Sequence, residues 1–162
     1  NNGVMRVIDF GSCINILETK SLLKIICNKM YLKKYIFKYI DAYSVGFVSP
    51  EIIVSQYIVI HSKESYNIDK LLLEIHTNCE IKLEALLQNI SFFKRILKNP
   101  DKFLKDMFCL GTKSGIFKND VYSLGKTIKY CLKFPNKKLE EIIEKMTTIN
   151  YTKRPRIISF TN

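Results

Sequence analysis

With 162 residues, 47% of them apolar, the chain is long enough to bury one compact core and too hydrophobic to be disordered. Its 26 Lys and Arg against 15 Asp and Glu leave a charge of +11, but the lysines run through nearly the whole chain beside frequent Ile, Asn and Tyr. The excess therefore reads as compositional bias and not as a dedicated nucleic-acid surface.

Asn2-Gly3 is a turn signal, and Val4 to Ile8 form a short strand ending at Asp9, the return arm of a hairpin. From Ser12 to Ser44 the chain is rich in Lys and Tyr, and Leu22, Leu23, Ile26 and Met30 have helical spacing with lysines on the solvated side. Ser49-Pro50-Glu51 interrupts this pattern, because proline disfavours helix at the residue before it and suits a first helical turn. Residues 67–98 read as helix, with Leu83, Leu86, Leu87, Ile90, Phe93 and Leu97 on one face. Asn99-Pro100 ends it, Asp101 to Leu110 form a shorter helix, and Gly111 to Gly115 form a loop. Asp120 to Leu132 are helical, with Val121, Leu124, Ile128 and Leu132 on one stripe. Phe134-Pro135-Asn136 stops that helix, and Asn136 caps a last one carrying Leu139, Ile142, Ile143 and Met146. Arg154-Pro155 opens an extended tail.

Five cysteines, Cys13, Cys27, Cys79, Cys109 and Cys131, are odd in number and lack CxxC spacing, which points away from a disulfide framework or a zinc site and towards a reducing compartment. His61 and His76 have no nearby ligand-type partners at metal spacing and read as ordinary surface or core histidines. The longest uncharged apolar run, Ile52 to Ile60, falls well short of the ~20 residues that span a bilayer. No signal-peptide pattern opens the chain, so the expected setting is intracellular, cytoplasmic or nuclear, with no membrane. The first residue is not Met, which leaves targeting segments upstream open.

Four motifs in order carry a resemblance. Val7-Ile8-Asp9-Phe10-Gly11 resembles the metal-binding motif of eukaryotic-type protein kinases, with a strand running into the Asp. Tyr43-Ser44-Val45-Gly46-Phe47-Val48-Ser49-Pro50-Glu51 is similar to the end of a kinase activation segment, with Ser-Pro-Glu in place of Ala-Pro-Glu. Asp120-Val121-Tyr122-Ser123-Leu124-Gly125 resembles the start of the long central helix of the kinase C-lobe. Met146 followed by Asn150 to Pro155 resembles the late pattern ending in Arg-Pro.

The resemblance implies a mainly α, kinase-like C-lobe over residues 1–162, with the hairpin strand as a remnant, an activation segment over 12–51 and a helical insert over 55–115. Asp9, with Phe10 and Gly11, would supply a carboxylate to Mg²⁺ bridging the phosphates of ATP. Ser44 would lie in the substrate loop and favours Ser/Thr specificity. Glu51 and Arg154 would form the buried ion pair that ties the activation segment to the lobe. Asp120 would accept hydrogen bonds from the catalytic-loop backbone, and Gly125 would permit close packing in mid-helix.

Three departures accompany the resemblance. The Gly-rich loop, the ATP-binding Lys and the catalytic His-Arg-Asp loop are not in the sequence, so the chain by itself is expected to be inactive and to need an upstream N-lobe as partner. Glu51 and Asp120 stand 69 positions apart, where the family uses a short connection. The stretch after Gly125 has room for little more than two helices. The expected function is therefore part of an ATP-dependent Ser/Thr protein kinase acting on protein substrates. Alternatives are a pseudokinase or kinase-derived interaction module without catalysis and, further off, a basic helical nucleic-acid-binding protein.

Overall fold

The computed structural model describes residues 43–62, 65–108 and 115–156. The predicted N-terminal strand, the Asp9-Phe10-Gly11 motif and most of the 12–51 segment lie outside the described residues.

Among the described residues the fold is mainly α, as the periodicity predicts. Seven helices follow in order: α1 (Pro50–Ile60), α2 (Ile68–Cys79), α3 (Leu83–Gln88), α4 (Ile90–Lys98), α5 (Pro100–Phe108), α6 (Gly115–Cys131) and α7 (Lys137–Met146), then a 3₁₀ turn at Tyr151–Lys153. Pro50 opens α1 and Pro100 opens α5, where a missing N–H costs nothing. The side chains of Asn67 and Asn136 cap α2 and α7 by accepting from Lys70 N (3.1 Å) and Leu139 N (3.0 Å).

The core forms around α1. Every residue from Pro50 to Val59 is buried, so this helix is apolar nearly all round and lies inside the molecule. Ile53, Val54 and Tyr57 meet Leu71, Leu72 and Ile75 of α2 within one cluster that continues through Leu86, Phe93, Leu104 and Met107. Each full burial of such a side chain contributes about 1.5–3 kcal/mol. Tyr57 keeps its hydroxyl satisfied by donating to Asn67 O (2.9 Å) and accepting from Asn67 N (3.0 Å), which pins the loop between α1 and α2.

One expectation changes. The helix predicted over 67–98 is three helices: Glu80 enters the left-handed region (φ 51°) and Ile81 and Lys82 leave helical geometry, and a second interruption at Asn89 separates α3 from α4. The second interruption divides the expected apolar stripe between α3 and α4. Leu86 and Phe93 are buried as expected, whereas Leu83 and Leu87 are exposed and Phe92 and Ile96 take the inward positions. Residue 55, where the 55–115 segment is expected to begin, lies within α1, and residues 55–108 supply most of the buried cluster.

α6 lies against α5, α7 and the 3₁₀ turn. At Gly125 the α6 backbone approaches α7 so closely that a Cβ would sit 2.8 Å from Met146 Cβ and 2.9 Å from Thr147 Cγ2. Gly125→Val is expected to lower stability by about 1–3 kcal/mol through overpacking. Gly125→Ala should cost less, since helix propensity returns about 1 kcal/mol. Urea unfolding of the two variants measures both values.

Candidate functional site

The sequence-predicted residues that the structure describes gather where α1 begins, where α6 begins and where the chain passes through 148–154. Local chemistry builds the last segment. The Asn150 carboxamide oxygen accepts from Thr152 N (3.1 Å) and Thr152 Oγ1 (2.8 Å), which sets the 3₁₀ turn. Arg154 N then donates to Tyr151 O (3.2 Å), and the turn delivers the Arg154 side chain inward.

Arg154 and Glu51, 103 positions apart, meet there as a bidentate pair. Their side chains are 0% and 1% exposed. Nη1 donates to Glu51 Oε1 and to Lys118 O (3.0 Å). Nη2 donates to Glu51 Oε2 (2.9 Å) and Ile149 O (3.3 Å), and Nε donates to Thr148 O (2.7 Å). All five guanidinium N–H groups are therefore used. The guanidinium carbon also sits 4.6 Å from the centroid of the Tyr122 ring. Burial pushes the Tyr122 phenol well above its ordinary range, so it stays neutral under that cation.

Lys118 answers from the other side by donating to Arg154 O and to Pro155 O (3.1 Å). Desolvation, with Arg156 and Arg154 nearby, holds its ammonium below the usual lysine range. Tyr151 packs edge-on against Phe92 and Phe103, each at 6.0 Å between ring centroids. One short segment thus holds α1, α4, α5 and α6.

Asp120 sits on α6 as an exposed residue, yet partial desolvation raises its carboxyl above the ordinary range, opposed by a hydrogen bond from the Asn119 side chain. Among the described residues Asn119 Oδ1 and Ser49 Oγ are buried without hydrogen-bond partners. One turn beyond Asp120 on the same face, Ser123 Oγ donates to Phe47 O (2.9 Å). That bond fastens the turn over Ser44–Phe47 to α6, with Phe47 N donating to Ser44 O (3.1 Å). Ser44 is exposed on this turn. Gly46 takes φ +84° and donates from N to Asn78 O (2.8 Å). A Cβ there would lie 2.8 Å from Glu80 Oε2. Lys126 Nζ donates to Cys79 O (3.3 Å) at the C-terminus of α2.

The structure thus pairs Glu51 with Arg154 and fastens the Ser44 turn to α6, the helix that also carries Asp120. Asp9, Phe10 and Gly11 lie outside the described residues. Among the described residues no group of three or more His, Cys, Asp or Glu could hold a metal ion, and no helix is long and apolar enough to cross a membrane. Sequence reasoning missed Lys118, whose i, i+4 relation to Tyr122 is its only local signal, and it missed Lys126, whose partner is a backbone carbonyl. No family model, no curated protein and no solved structure matches the chain.

Arg154→Ala is expected to cost about 3–5 kcal/mol, because it leaves the buried Glu51 carboxylate unpaired. Arg154→Lys should recover less than half of that, since three donors on a point charge cannot replace a five-donor fork; urea denaturation of the two variants measures the difference. Asp120 gives a prediction with the opposite sign. A carboxyl whose folded pKa is raised adds stability only while protonated and loses that contribution as pH rises through the folded pKa. Asp120→Asn is therefore expected to melt higher than the parent at pH ~7, with the gain vanishing at pH ~3, below the ordinary carboxylate range. Thermal unfolding at the two pH values reads it.

Proposed function

We propose that the chain is the lower lobe of a divergent Ser/Thr protein kinase. The observation that carries the reading is the buried Glu51–Arg154 pair. Its members come from the two motifs that resemble the end of a kinase activation segment and the late Arg-Pro pattern. Two placements add support. Gly125 makes the mid-helix close approach that the central-helix motif implies. The Ser44 turn is fastened to that helix through Ser123.

The desolvated Asp120 carboxylate fits the same reading. It carries a cost of burial offset by the single Asn119 side chain, and the resemblance gives it backbone N–H donors from a catalytic loop. Asp9 would hold Mg²⁺, and Mg²⁺ would neutralise the phosphates of ATP. Ser44 would line the path of a protein hydroxyl. An N-lobe carrying the ATP-binding Lys would be the partner that completes the enzyme.

In the polypeptide that includes the upstream lobe, Mg²⁺-ATP is expected to raise the melting temperature and to support phosphate transfer to a Ser/Thr substrate. Asp9→Ala is expected to abolish the transfer. Transfer unaffected by Asp9→Ala would remove the kinase reading. A Mg²⁺-ATP melting shift without transfer would instead favour a pseudokinase.

A further inference from the structure

The two most exposed large hydrophobic side chains among the described residues are Tyr130, at 83%, and Phe134, at 79%. They lie four positions apart where α6 ends and the Phe134-Pro135 turn begins. Each is preceded by an exposed lysine, Lys129 and Lys133, and exposed Lys137 and Lys138 follow at the start of α7. From Val121 to Leu139 the chain has five lysines and no carboxylate. One of the five, Lys126, is tied to the carbonyl of Cys79; the other four carry exposed charge.

Leaving two large rings in water forgoes their burial, and the solvated ammonium groups beside them supply charge for recognition. Tyr130 touches Phe47 edge-on, with ring centroids 6.0 Å apart and planes at 68°. At 83% exposure the Tyr130 ring remains largely open to solvent despite that contact. The repeated Lys-aromatic pair matches a repeated chemical unit, a flat base with a phosphate attached. The geometry points to a docking track for single-stranded nucleic acid, in which Tyr130 and Phe134 stack on bases while Lys129, Lys133, Lys137 and Lys138 neutralise the backbone.

An anionic bilayer offers the lysines the same charge but fits less well. A membrane is a plane, and it would bring the exposed Glu140, Glu141 and Glu144 of α7 against the same negative surface. A single strand stacked on Tyr130 and Phe134 meets Lys129 and Lys133 without running along α7, where Glu140 and Glu141 lie within one turn of Lys137 and Lys138. The inference does not rest on the kinase reading, since strand binding and phosphate transfer are read separately.

The test is fluorescence anisotropy of the full chain with a labelled oligouridylate of about 12 nucleotides at ~50 mM salt. The parent should bind, and Tyr130→Ala with Phe134→Ala should weaken binding at least about thirtyfold, because two stacked bases are lost. Both side chains are exposed, so the melting temperature should stay unchanged and fold loss is separable. Lys129→Gln with Lys133→Gln should lower the salt slope by about 0.7 per lysine. Unchanged affinity in the double aromatic variant would overturn the inference, as would absent binding at ~50 mM salt. Capture of the chain by phosphatidylserine vesicles without oligonucleotide binding would also overturn it.

Discussion

Everything in this fold is arranged around one charge that has nowhere to go. Arg154 is buried, and a guanidinium cannot shed its proton to escape. It persists inside because each of its five N–H groups has an acceptor and Glu51 balances its charge. Those acceptors come from the start of α1, the start of α6 and the segment after α7. Satisfying one side chain therefore dictates where three separate stretches of chain must end up. An apolar pair of equal volume would bury as well, but it would not specify this register.

The surrounding sequence is consistent with that demand. Asn150 shapes the turn that aims Arg154, and Lys118 and Tyr122, one turn apart on α6, close over it. Gly125 lets α7 approach α6 closely enough for the following segment to reach the centre. Tyr151 carries the same segment into the aromatic ground between α4 and α5. The central position of α1, with no solvated face of its own, follows from the same closure.

Much of this was legible in the sequence, and the limits have physical causes. Prolines and capping asparagines marked helix starts because their effects are local to one turn. The Glu51 and Arg154 pairing was legible only through motif resemblance, since nothing local links residues so distant in the chain. The break at Glu80 was not legible. A left-handed Glu is disfavoured in isolation, and what holds it is the packing of the Gly46 turn against the end of α2. The expected stripe from Leu83 to Leu97 crosses a second break at Asn89, and a helical stripe has meaning only within one unbroken helix. The lysine-aromatic surface at the end of α6 was hidden by the lysines elsewhere, and burial alone separated Tyr130 and Phe134 from the aromatics of the core.

The most direct measurement is a double-mutant cycle between Glu51→Met and Arg154→Met, followed by urea denaturation. If the pair organises the fold, each single variant leaves a buried charge or its carbonyl partners stranded. The double variant should then recover part of the loss, with a coupling above about 2 kcal/mol. Recovery should stay incomplete, because the carbonyls of Lys118, Thr148 and Ile149 lose their donor in any variant without Arg154. Additivity of the two substitutions within about 0.5 kcal/mol would contradict the account, since it would mean that the two side chains stabilise the chain independently.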